Sequence, residues 1–140
     1  MTGRAWRPSL VAAALALAGQ AKPAPALASL RVVEVTSALG GSEPIQPGQM
    51  LTGRGHGGSP MTFTVEELGF GVNPVAAYNR IALVRVERLP VHDSLNTVVG
   101  FRSRYRYAGA PASGGVFTFQ DTSAIAPART LTLRLQLRPL

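Results

Sequence analysis

Cysteine is absent from all 140 residues. That absence removes a disulfide framework, a thiol nucleophile, a Cys-ligated zinc site and the lipid-bearing cysteine of a bacterial lipoprotein. Histidine is almost absent too, with only His56 and His92 in the chain. A zinc site needs about three protein ligands, so no metal site is expected, and no cofactor motif is found. The stretch after residue 28 shows no amphipathic helical period and no internal repeat. Without disulfides, an exported domain of this size must be held together by its apolar core.

The first 28 residues have the parts of a secretory signal peptide. Arg4 and Arg7 give the positive start, Leu10 to Ala18 the apolar centre, and Ala26-Leu27-Ala28 the small residues at −3 and −1. The apolar run is about half of the ~20 residues that a spanning helix needs. Cleavage is expected after Ala28, with Gly19-Gln20-Ala21 as the weaker alternative because Lys22-Pro23 follows it. A disordered tail on a cytosolic protein is the rival reading. The expected organisation is therefore a signal peptide over 1–28 and a single β-rich domain over 29–140, released as a soluble extracellular or periplasmic monomer. Removing 28 residues from 140 leaves 112, enough for one domain. The 11 basic residues left are all arginines and face seven acids, a charge of about +4 against +7 for the whole chain.

What is present has a period of two. Residues 130–138 put Leu131, Leu133, Leu135 and Leu137 on one face and polar groups on the other, the signature of a half-buried antiparallel strand. Residues 97–107 alternate likewise, with Val99, Phe101, Ser103, Tyr105 and Tyr107 opposite Arg102, Arg104 and Arg106. Further strands are expected over 30–37, 61–67, 80–89 and 115–120. Between them lie turn-rich segments, the longest being the Gly/Pro-rich residues 39–60, in which Gln46 to Leu51 could supply another short strand. The fold expected is all-β, an antiparallel β-sandwich or small open barrel of about six to eight strands. The leucine face is expected to pack inward with Val99, Phe101, Tyr105 and one face of 80–89.

Three constellations invite a chemical reading. "LTGRGHGGSP" holds His56 among glycines, with Gly57 and Gly58 beside it, and forms a possible loop site. A hydrolase that uses a His-Gly-Gly loop for its oxyanion hole also needs a Gly-x-Ser-x-Gly elbow, which is missing. A phosphate loop would continue into a helix with a Lys, whereas Pro60 and a strand follow. A Ser-His-Asp set from His56, Asp93 and a serine has no support in the spacing. The loop thus reads as a turn, and replacing His56 is expected to disturb neither binding nor fold. Arg102, Arg104 and Arg106 form a candidate strip for an anionic polymer, with a solvated face neutralised by Glu66, Glu87 or Asp93 as the bland alternative. Glu66 and Glu67 are strand neighbours pointing to opposite faces, so they cannot flank one substrate bond.

The leader, "LRVVEVTSALGGSE", "HGGSPMTFTVEELGFG" and "GGVFTFQDTS" resemble the YolA-like group of small secreted bacterial proteins of unknown function, over most of residues 30–123. The resemblance implies export, one β-rich domain and no assigned activity. It transfers no catalytic residues. A secreted binding or interaction module is the reading that follows, its partner an anionic envelope polymer or a protein. A small secreted enzyme or enzyme inhibitor using the His56 loop is the alternative, and a matrix component pairing through exposed strand edges is the third.

Overall fold

The structure is a computed structural model that describes residues 24–140. Residues 1–23, most of the expected leader, lie outside the described residues. Twelve strands follow in chain order: β1 (Ser29–Ser37), β2 (Gly41–Pro44), β3 (Leu51–Gly55), β4 (Gly57–Gly58), β5 (Met61–Leu68), β6 (Val75–Tyr78), β7 (Ile81–Ala82), β8 (Val84–His92), β9 (Val98–Tyr107), β10 (Ala112–Ser113), β11 (Gly115–Thr122) and β12 (Thr130–Arg138). One five-stranded sheet has the order β2-β1-β5-β9-β8 and the other β3-β12-β11-β6-β7, with β4 and β10 as a separate ribbon. All neighbours are antiparallel except β3 and β12. This is the expected all-β sandwich, with twelve strands rather than six to eight because three are only two residues long and others are short hairpin pieces, and no barrel closes.

The two-residue period becomes the core. Val35, Met61, Phe63 and Val65 project from the first sheet, and Tyr78, Phe117, Phe119, Leu135 and Leu137 from the second, all essentially fully buried. The rings of Phe63 and Phe117 stack at 4.3 Å across the interface, a geometry aromatic pairs favour. Tyr105 and Tyr107 face inward as the alternation requires. The leucine face of β12 also points in, but burial is uneven. Leu135 and Leu137 are sealed, while Leu131 and Leu133 are half-buried, Leu133 on the wall of a groove of about 830 Å³ beside Leu30, Val32 and the Ile45–Met50 segment. Phe101 takes no part in that core. It packs edge-on to Phe70 at 5.5 Å and carries the Arg88 guanidinium 3.6 Å above its ring.

Two expectations are corrected. Residues 80–89 are not one strand, because Asn79 and Arg80 take positive φ angles of 48° and 66° and turn the β6–β7 hairpin, after which the chain crosses to the other sheet as β8. The 39–60 stretch is not a loop but holds β2, β3 and β4, with the strand at 51–55 rather than 46–51. A bulge at Val86 interrupts the β8–β9 register, so Arg85 pairs with Tyr105 and Arg88 with Ser103. Arg85 and Arg88 therefore both share the inward side of the sheet, although three residues apart.

Residues 25–28, placed in the leader by cleavage after Ala28, are packed into the sandwich. Leu27 is buried and its amide donates to Ser123 Oγ, the Ala28 amide donates to the Leu68 carbonyl, and Ala26 bridges to Phe70. The strap runs so close to Gly69, which has a φ of 91°, that a Cβ there would lie 2.0 Å from the Ala26 carbonyl oxygen. Among the described residues no helix is long and apolar enough to cross a membrane.

Candidate functional site

The folded chain gives His56 partners that its sequence neighbourhood does not contain. His56 follows β3, and its ring is fully buried. Its amide donates to the Arg138 carbonyl and its carbonyl accepts from Gly114, so the main chain is pinned between β12 and the β10 region. The ring lies between two side chains, with Nδ1 2.9 Å from Ser37 Oγ and Nε2 3.3 Å from Glu43 Oε1. An ionised carboxylate only accepts, so Nε2 carries a hydrogen, and in the neutral ring Nδ1 accepts from the Ser37 hydroxyl. Ser37 Oγ in turn accepts from the amides of Gly40 at 2.9 Å and Gly57 at 3.3 Å. Glu43 accepts from the amides of Gly53 and Arg54 at 2.7 and 2.8 Å. Burial pushes the Glu43 carboxyl up, but those two amides and the His56 ring outweigh it and hold it below the ordinary carboxylate range.

Ser37, His56 and Glu43 are thus linked hydroxyl to imidazole to carboxylate, the order of a nucleophile, base and orienting acid. Asp93, the acid considered from the sequence, lies elsewhere, its Oδ1 capping the amides of Leu95 and Thr97 in the β8–β9 turn. Access decides what the trio can do. The ring has no exposed surface and Ser37 is 4% exposed, so no substrate carbonyl can approach the hydroxyl. The glycines explain the sealing. A Cβ on Gly40 would fall 2.6 Å from His56 Nδ1, and one on Gly57 2.5 Å from the Ala112 carbonyl oxygen. At Gly40 the backbone packs directly on the ring, and at Gly57 the chain is pressed against the Ala112 carbonyl and the Leu140 side chain. The trio is a latch tying β1, β2, β3 and the end of β12 together, so His56 is a buried residue with side-chain partners on both ring nitrogens rather than an unpartnered turn residue.

The arginine strip lies on the outer face of the first sheet, already paired. Arg102 donates to Glu66, its direct cross-strand partner, and Arg31 reaches the same carboxylate at 3.5 Å. Arg104 pairs with Glu87 at 3.2 Å, again directly across the register. Arg106 has no carboxylate within ion-pair distance among the described residues and borders a cavity of about 590 Å³ with Ile81, Val84 and Val86. Register places four arginines (31, 102, 104, 106) and three glutamates (34, 66, 87) on that face. The face is close to neutral.

The inner face carries a group of polar residues that the sequence reading passed over. Glu67, on the opposite side of β5 from Glu66, meets Asp121 of β11, and both are almost fully buried. Asp121 Oδ1 accepts from the amides of Asn73 at 2.8 Å and Thr122 at 2.7 Å, and the carboxyl packs on Gly71, where a Cβ would overlap it. Two carboxyls in contact away from water cannot both ionise at modest cost. Burial, then the hydrogen bond and charge of Asp121, push the Glu67 pKa up to about 8 against the pull of Arg88 and Arg85. Glu67 holds its proton at neutral pH and donates it to Asp121. Beside them is Tyr105 of β9, whose hydroxyl is buried with no hydrogen-bond partner. Burial and the Glu67 carboxyl raise its pKa above the usual phenol value, against the pull of the nearby Arg85 guanidinium. Among the described residues no cluster of His, Cys, Asp and Glu is large enough to hold a metal ion.

Residues 22–137 match a sequence family described as a domain of unknown function, DUF4879. No curated protein and no solved structure matches the chain.

Proposed function

We propose, from the premise that the chain belongs to the DUF4879 family, that this protein is a non-catalytic binding module acting outside the cytoplasm. One observation carries the reading. The only hydroxyl–imidazole–carboxylate chain among the described residues is sealed, every polar atom of it already engaged within the fold, while two open cavities with largely apolar walls flank the sandwich. Ligand sites are concave and mostly apolar with a few placed polar groups, and this molecule offers such concavities without an exposed nucleophile beside them.

An anionic polymer on the Arg102, Arg104 and Arg106 face would have to displace Glu66 and Glu87 from two of the three arginines, so the cavities are the better supported contact surface. Export follows from the leader and from the resemblance to YolA-like secreted proteins. Cleavage after Ala21 fits the packing better than cleavage after Ala28, because Leu27 and its strap remain with the domain and the family match begins at residue 22. The test is a thermal-shift screen of the exported protein against small organic acids, sugars and short peptides, with each stabilising compound recovered by mass spectrometry after long incubation. Unchanged compounds support a binding module. Steady conversion of a bound compound, lost in Ser37→Ala, would establish an enzyme instead.

A further inference from the structure

Strand β12 is paired along only part of its outer edge. On one side it has β11 over its full run, with no break in register. On the other side β3 reaches only Gln136 and Arg138, so among the described residues no strand lies beside Thr130 to Leu135. The paired part shows which backbone groups face that empty lane. The Gln136 amide donates to the Met50 carbonyl, the Arg138 amide donates to Thr52 Oγ1, and the Arg138 carbonyl accepts from His56. Backbone groups alternate sides along a strand, so the N–H and C=O of Thr130, Thr132 and Arg134 point the same way, into the lane. None of them has a partner there among the described residues. The facing wall is a second unpaired half-strand, because β2 meets β1 only from Glu34 onward. Leu30 and Val32 of that half-strand line the groove of about 830 Å³ together with Leu133, Leu135 and Ile45. Proteins blunt long edges with proline, bulges or inward-pointing charges. The free edge β8 has Pro90 and register breaks at Val86 and between Val91 and His92, whereas residues 130–135 have neither proline nor bulge.

We propose that this lane takes an extended segment of another polypeptide, added as a strand beside β12, with apolar residues at alternate positions and an acid between them. In strand addition the main-chain bonds supply affinity and the alternating side chains supply selection. Residues directly opposite one another point to the same face of a sheet. Partner residues across from Leu131 and Leu133 therefore point inward with the leucines, and those across from Thr132 and Arg134 face solvent. Arg134 is exposed and has no carboxylate within ion-pair distance among the described residues. No acid lines the groove either, so an acid across from Arg134 is the complementary charge. A second copy of β12 cannot supply it, since that strand carries Arg134 and Arg138 and no acid. This assignment rests on the binding reading above and names its site and partner class.

The test is fluorescence anisotropy of the exported protein with labelled, end-blocked six-residue peptides of alternating valine and threonine, glutamate replacing each threonine in turn. At least one of them binds, and its lysine counterpart binds about threefold or more weakly. N-methylating alternate amides of that peptide weakens binding about tenfold or more in one register and leaves it intact in the other, because only one set of amides meets β12. Arg134→Glu, an exposed substitution that leaves Tm in place, reverses the preference between the glutamate and lysine peptides. Thr132→Pro removes a lane N–H that the fold does not use, at an edge where proline is tolerated, and weakens binding about threefold or more. Failure of every peptide to bind overturns the site, as do methylation registers that behave alike or binding that ignores both substitutions. A dimer in sedimentation that Thr132→Pro dissociates gives the lane to a second copy and overturns it too. If the peptides fail while a small compound stabilises the protein, the strand site falls and the binding module stands. A peptide that binds through Arg134 and is then cleaved keeps the site and removes the non-catalytic reading.

Discussion

Replacing Glu67 by glutamine isolates the proton that it shares with Asp121. The amide has the shape of the protonated acid and can donate to the same Asp121 oxygen, but it cannot ionise. In the wild type the folded-state pKa of Glu67 is raised from 4.5 to about 8. A raised acid pKa means that the folded protein binds the proton more tightly than the unfolded chain does. Its stabilising contribution is fully present below pH 4.5 and is lost as pH rises through about 8. Inside that window each pH unit costs about 1.4 kcal/mol from this group alone, so the whole window amounts to something on the order of 5 kcal/mol. The assay is urea unfolding of wild type and Glu67→Gln at intervals from pH 5 to 9, with midpoints compared at constant m. The two proteins should be close in stability near pH 5 and diverge steadily, the variant being the more stable at pH 9. Parallel curves across the range, or a variant weaker than wild type at pH 9, would refute the shared proton.

Other substitutions probe other parts of the sandwich. Ser37→Ala leaves the Gly40 and Gly57 amides and His56 Nδ1 without a partner and should cost about 1–3 kcal/mol in chemical denaturation; a neutral result would mean the latch carries no load. Leu135→Ala, in a sealed position, should cost about 2–5 kcal/mol, and Leu133→Ala, on the groove wall, clearly less; equal losses would mean the groove is closed in solution. N-terminal sequencing of the exported protein should begin at Lys22, and a start at Ser29 would show that the Pro25–Ala28 strap is dispensable.

Much of the scaffold could be read from the chain because strand alternation is a local property. The face of β12 and the inward turn of Tyr105 and Tyr107 follow from counting by two, and Glu66 and Glu67 separate for the same reason. The elements missed are those in which the period breaks. β2, β3 and β4 are too short to show alternation, and the hairpin at Asn79-Arg80 has an arginine at a positive φ where a glycine would have announced the turn. The sites were less legible. Ser37 and Glu43 reach His56 by the folding back of β1 and β2, which no spacing encodes. The bulge at Val86 puts Arg85 and Arg88 on one side of a strand whose regular alternation assigns them to opposite sides. The pairing of Glu67 with Asp121 joins residues from two sheets. In the sequence the arginine triplet stood out more than any of these, and the fold pairs two of its members with glutamates.

Whether the hydroxyl–imidazole–carboxylate chain is a latch or a catalytic centre is decided most directly by reactivity at Ser37. The exported protein is incubated natively with a fluorophosphonate, which phosphonylates an accessible activated serine, and the peptide containing Ser37 is examined by mass spectrometry. With His56 fully buried and Ser37 held by two backbone amides, Ser37 should remain unmodified over hours at neutral pH. Rapid modification that His56→Ala abolishes in a folded protein would make Ser37 a working nucleophile and overturn the binding-module account.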